Sequence, residues 1–146
     1  MTPAPSQLKP AVAASLATWH DMVARRDLTN LASIVHPDAV FRSPMAIHPY
    51  QPAAALILVL STVIQVFEDF TYHRQLASDD GLNVVLEFSA RVGDKQLKGI
   101  DLVRFDDAGK IVEFEVMVRP LSGLQALADE MGKRMAPYMA AFKAPQ

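Results

Sequence analysis

There is no cysteine in this chain of 146 residues, which excludes disulfides and thiolate chemistry and suits a cytoplasmic setting. Long apolar runs are missing too. The longest, Ala53–Leu60, falls far short of the roughly 20 residues that cross a bilayer. A secretory leader is also wanting: PAVAASLATW follows Lys9 with almost no basic flank and passes straight into an amphipathic pattern. Neither sign of charge dominates, since 14 basic and 16 acidic residues leave a net charge of −2. That balance gives no footprint for nucleic acid or for a membrane surface. Glycine is scarce, and neither a Gly-rich phosphate loop nor G-x-S-x-G occurs. The four histidines and the acids lack spacing of the H-x-x-x-H kind, so neither a metal nor a cofactor is expected.

What is present is apolar material, 51% of the residues. That is enough for one domain, residues 8–142 behind a loose tail 1–7, burying roughly 70% of its unfolded surface. Pro10 suits the first turn of a helix in which Val12, Leu16, Trp19 and Val23 form a stripe, with His20 at its edge. Asp27 can cap a second short helix, Leu28–Val35, closed by His36-Pro37-Asp38 before a short strand, Ala39–Ser43. After a loop carrying Met45, His48 and Tyr50, Pro52 opens a third helix striped by Leu56, Leu60, Val63 and Phe67.

From Phe70 the period changes to two. Phe70–Ala77, Leu82–Val92, Gln96–Phe105 and Ile111–Arg119 read as strands, separated by SDDG, GDK and DDAGK. Leu121–Phe142 reads as a final helix striped by Leu124, Ala128, Met131, Met135 and Phe142, which Pro137 should bend or break. Helices followed by a strand meander predict an α+β fold.

The hairpin KGIDLVRF-DDAGK-IVEFEVMVRP carries the informative residue. Alternation puts Leu97, Gly99, Asp101, Val103 and Phe105 on one face of the first strand, and Ile100, Leu102 and Arg104 on the other. In the returning strand Val112, Phe114, Val116 and Val118 share the inner face. Asp101 is thus a carboxylate among apolar side chains, costly unless hydrogen-bonded or neutral. It has either a task in a pocket or a local donor that makes it structural. Gly99 leaves room beside it for a ligand. Val84, Leu86, Phe88, Leu97, Phe114, Val116 and Val118 should converge with Trp19 on one apolar pocket, the default binding site.

GIDLVRFDDAGKIVEFEVMVRP resembles the last two strands of the nuclear transport factor 2-like superfamily in its SnoaL-like branch, and the likeness runs from about Leu16 to Pro120. It implies a cone-shaped α+β barrel: N-terminal helices packed in a curved, mostly antiparallel sheet, here with an extra C-terminal helix. The superfamily includes ketosteroid isomerases, polyketide cyclases, limonene epoxide hydrolases and binding proteins without catalysis. In the isomerases the acid of the I-D-x-x-R-F segment stays protonated and donates to an oxyanion, an example long used for such acids. Asp101 matches it. Trp19 falls where those enzymes have the oxyanion Tyr, and Ser43 where they have the general-base Asp, so steroid isomerisation is not implied. The R-x-D of the epoxide hydrolases is absent as well, since Gly99 stands at the Arg position. What survives is the cyclase pattern, with Asp101 as acid/base and Trp19 or His20 as donor, beside the plainer reading of Trp19 as core and His20 as a half-buried edge residue.

His48 and Tyr50, in the loop expected near the cavity mouth, are candidate ligand contacts with Ser43. Two readings stay open: a small isomerase, cyclase or hydrolase acting on an apolar carbonyl compound, or a module that binds such a ligand or a partner protein without catalysis. Ile100 and Leu102, outward on a sheet whose inner face is already apolar, predict a homodimer through the outer face.

Overall fold

The computed structural model describes Pro5 and residues 7–138. Pro10 opens α1 (Pro10–Ala24), which buries Val12, Leu16, Trp19, Met22 and Val23. A 3₁₀ turn (Leu31–Ile34) leads directly into β1 (Val35–Arg42), and α2 (Ala53–Val66) follows. β2 (Glu68–Ala77), β3 (Asn83–Val92), β4 (Lys95–Phe105) and β5 (Ile111–Arg119) form the meander, and α3 (Leu121–Met135) closes the described chain. The five strands make one sheet in the order β1-β5-β4-β3-β2, antiparallel except for the parallel β1–β5 pair. The fold is therefore α+β. α2 packs on β1, and α3 lies against α2, β3, β4 and β5.

Several expectations about local structure are corrected. The predicted second helix is only a 3₁₀ turn, because Asp27 accepts hydrogen bonds from the amide and hydroxyl of Thr29 and makes a turn of its own. His36 consequently lies inside β1, not at a helix end. In β5 it is Ile111, 1% exposed, that faces inward in place of Val112. The carboxylate of Asp106 accepts the amides of Ala108 and Lys110, and Gly109 takes φ 82°. This closes the loop tightly enough to shift the register between Arg104 and Phe105, so that Phe105 pairs with Ile111.

The buried stripe of α3 is Gly123, Leu127, Met131 and Met135, rotated from the expected one. Gly123 sits where a Cβ would lie 2.8 Å from the Gln96 carbonyl and from Leu97 Cβ, which lets the helix touch β4 there. The helix ends before Pro137, as that residue requires. Phe142 lies outside the described residues. Gln7, expected in the loose tail, donates its side-chain amide to the Ala77 carbonyl, and the adjoining Leu8 is 7% exposed.

β2 carries register shifts against β3 on either side of Thr71-Tyr72. Such shifts bend a strand and re-aim its side chains. Tyr72 points inward, Arg74 turns outward to Glu87, and Gln75 turns inward to His20.

Candidate active site in the concave face of the sheet

Asp101 sits mid-strand in β4, opposite Leu86 on one side and Val116 on the other, and is 6% exposed. Tyr72 Oη donates to its Oδ2 at 2.6 Å, and Trp19 Nε1 donates to Tyr72 Oη at 3.0 Å. One chain of hydrogen bonds thus joins α1, β2 and β4. The path exists because Tyr72 pairs with Phe88, and Phe88 with Gly99. At Gly99 a Cβ would lie 2.7 Å from the Phe88 ring and 2.4 Å from the Met117 carbonyl. The space expected there for a ligand is filled by Phe88, an aromatic ring covering a strand glycine. Trp19 in turn packs on Phe114 with ring centroids 5.3 Å apart.

Burial is the largest influence on Asp101 and pushes its carboxyl up to about 7, against a smaller lowering by the Tyr72 hydrogen bond. No Lys or Arg lines the cavity among the described residues. Burial likewise raises the Tyr72 phenol well above its ordinary value, and the neighbouring Asp101 charge adds to the rise. The carboxyl therefore changes charge near neutral pH while the phenol stays a donor.

The cavity beside this pair is lined by Trp19 and Val23 of α1, by Val59, Leu60, Val63 and Ile64 of α2, and by Leu127 and Met131 of α3. Phe41, Phe67, Phe70 and Val116 complete the apolar wall, with Ser43, Pro44 and Met45 at one end. Its free space is about 50 Å³.

Of the residues singled out from the sequence, Asp101, Trp19, Ser43 and Val116 come together on this cavity. Val84 and Leu86, both 0% exposed, and Phe114 at 1% are packed core. Phe88 belongs to an aromatic cluster with Phe67, Phe70 and Tyr72. Leu97 lies beneath Gly123 of α3, and Val118 faces a groove outside the cavity. Tyr50 is buried by stacking on Phe41, to which it is also backbone-paired. His48, like Tyr50, does not line the cavity. His20 meets Tyr72 edge-on at 5.1 Å, and its Nε2 bonds to Gln75 at 2.8 Å. Its Nδ1 is buried without a partner, and burial lowers its pKa. It makes no hydrogen bond to Asp101.

Sequence reasoning missed Tyr72 and the helical walls. A tyrosine flanked at i−2 by Phe70 in a strand was the available signal, since an inward phenol needs a partner. Among the described residues no group of three or more His, Asp or Glu could hold a metal ion, and no helix is long and apolar enough to cross a membrane.

Residues 16–114 match the SnoaL-like domain family. A solved structure of a steroid delta-isomerase from Pseudomonas aeruginosa is 63% identical, with TM-score 0.89, over 94% of this chain and 99% of that one. An uncharacterised bacterial protein with a cystatin-like fold from Silicibacter pomeroyi is 28% identical, with TM-score 0.81, over 92% of each chain. An NTF2-like protein of unknown function from Mesorhizobium loti, 17% identical over 82% of this chain and all of its own, shares the fold with TM-score 0.69. None of the curated proteins matches.

Proposed function

This chain belongs to the SnoaL-like family of the NTF2-like superfamily, and from that premise we propose that its cavity takes a small apolar carbonyl compound to and from which Asp101 moves a proton. The observation that carries this is a carboxyl buried in an apolar wall, bonded to a phenol and with no Lys or Arg lining the cavity among the described residues, a setting that pushes it up to about 7. A group poised there can take a proton from carbon next to a carbonyl and return it elsewhere, which is the working step of an isomerase or cyclase. Tyr72 and Trp19 are the donors nearest the carboxyl. Once Asp101 takes a proton it no longer needs the phenol hydrogen bond, and Tyr72 can offer that hydrogen to the developing enolate oxygen.

The Pseudomonas aeruginosa relative supports isomerisation as the reaction class. Two features oppose a steroid as the substrate: Ser43 stands where the resemblance to ketosteroid isomerases puts the general-base acid, and the free space is about 50 Å³ where pockets for drug-sized ligands run to roughly 300–1,000 Å³. The test is exchange of α-protons of cyclohexanone for deuterium, followed by NMR, beside isomerisation of a Δ5-3-ketosteroid. Exchange in the wild type, lost in Asp101→Asn, is the expected result. Ketone binding without exchange would assign the cavity to a binding module, the reading that Ser43 favours.

We also propose that the outer face of the sheet pairs with a second copy of the chain. Ile100 and Leu102 are half-buried there, and Met117 is 45% exposed, a patch whose cover would remove apolar surface from water. Sedimentation should give a dimer at micromolar concentration and a monomer for Ile100→Asp. A wild-type monomer overturns this.

A further inference from the structure

Four residues stand between the small space at Asp101 and a larger groove outside it, and Met45 is the most mobile of them. β1 ends at Arg42, opposite Glu115. The chain leaves the sheet there, and β5 runs on to Arg119 with no strand on that side among the described residues. The gap is a groove of about 500 Å³, bounded by Arg42, Ile47, Glu115, Met117 and Val118. Ser43, Pro44, Met45 and Val116 line both the groove and the cavity. Met45 is 42% exposed, and Ile47 beside it is 87% exposed. Apart from its amide hydrogen bond to Ser43 Oγ, Met45 is held by a 3.7 Å contact between that hydroxyl and its sulfur. A thioether on three rotatable bonds is the side chain most able to swing aside.

We propose that the cavity and the groove are two halves of one ligand site, with Met45 as the residue that sets ligand length. The carbonyl end lies at Asp101, and an unbranched apolar chain passes Met45 to lie along Ile47 and Val118. This rests on the reading of Asp101 given above. The inner space alone is several-fold smaller than pockets that enclose whole ligands, while the groove has room and holds no buried titratable group. The cavity also borders a groove of about 410 Å³ at His20, Arg26 and Asp69. The partition on that side is fixed, because Tyr72 is 7% exposed and tied to both Trp19 and Asp101. Arg26 there is locked onto the Phe67 and Gln65 carbonyls.

The test is an NMR titration of the full chain with linear methyl ketones from butanone to undecanone. Affinity should rise about fourfold per methylene once the chain is long enough to pass Met45. Met45→Trp should abolish that rise. Ile47→Asp, at a surface position that cannot disturb the core, should blunt the rise for the longest ketones alone. Butanone binding without length dependence in the wild type overturns the two-part site and leaves the assignment of Asp101 standing. A rise that survives both variants, or an equal weakening of butanone and undecanone by Met45→Trp, also overturns it. Exchange of butanone α-protons that persists in Asp101→Asn overturns the assignment of Asp101 and with it the placing of the carbonyl end.

Discussion

Two acids lie on adjacent strands of one sheet, a residue out of step: Leu86 pairs with Asp101, and Glu87 pairs with Ile100. Alternation sends them to opposite faces, and their chemistry diverges accordingly. Glu87, outside, is clasped by Arg74 at 2.9 and 2.6 Å and approached by Lys98 at 3.3 Å. Its carboxyl is drawn down to about 2, chiefly by the Arg74 hydrogen bonds. Asp101, inside, has a phenol for a partner and is pushed up to about 7 by burial. Distance along the chain counts for little beside which face a side chain takes and whether a cation waits there. An acid that is always charged can only hold structure, whereas one that titrates near neutrality can exchange a proton with a ligand.

The largest effect expected from breaking this contrast is kinetic. Asp101→Asn keeps the shape and an acceptor for Tyr72 but cannot take up a proton, so α-proton exchange should fall by about 10²–10⁴. An exchange rate within a few-fold of wild type would remove Asp101 from the chemistry. The same variant tests the energetics. The folded pKa of Asp101 lies above the unfolded value, so its contribution is fully present below about pH 4 and is lost as pH rises through about 7. Urea melts of wild type minus Asp101→Asn should show the wild type losing ground over that range, with the variant equal or more stable at neutral pH. A variant clearly less stable at pH 7 would make Asp101 a structural carboxylate.

A smaller change sharpens the comparison from within the inner face. Tyr72→Phe removes the hydrogen bond that lowers the Asp101 pKa, so the midpoint of any pH–rate profile should move upward. Trp19 Nε1 would also lose its acceptor, at a cost of about 1–3 kcal/mol. A profile that moves down, or does not move, means that the phenol does not act on the carboxyl.

Much of the fold is legible in the sequence because each element carries a clean period. The stripe of α1, the strand Ile111–Arg119 and the inward direction of Asp101 all follow from it. What is not legible depends on where periods break or on what lies across a gap. The bulges in β2 decide that Tyr72 and Gln75 both turn inward, and nothing in FTYHRQ marks them. The Asp106 turn shifts β5 by one residue. Strand alternation says which side chains face the helices, but not whether they meet packed atoms or empty space. Val84 and Leu86 are fully buried in packed core, and the opening falls instead toward α2 and α3. The helix stripes there read as ordinary core, since a cavity wall and a packed face have the same composition.

The smallest expected effect belongs to the outer acid, and its sign is the sharper part of the contrast. Glu87→Gln removes the charge that Arg74 and Lys98 share. Because the folded pKa is depressed, Glu87 contributes stability above its ordinary carboxylate range, and that stability disappears as pH falls through about 2. Its side chain is 11% exposed but that of Arg74 is 73% exposed, so water and salt screen most of the pair. Glu87→Gln should therefore lower the urea midpoint slightly at pH 7, less so in high salt, and least near pH 2. Asp101→Asn should move the neutral-pH midpoint the other way. If both substitutions shift it in the same direction, the two faces do not differ in the way their hydrogen bonds imply, and the neutral acid inside the sheet is the assignment that fails.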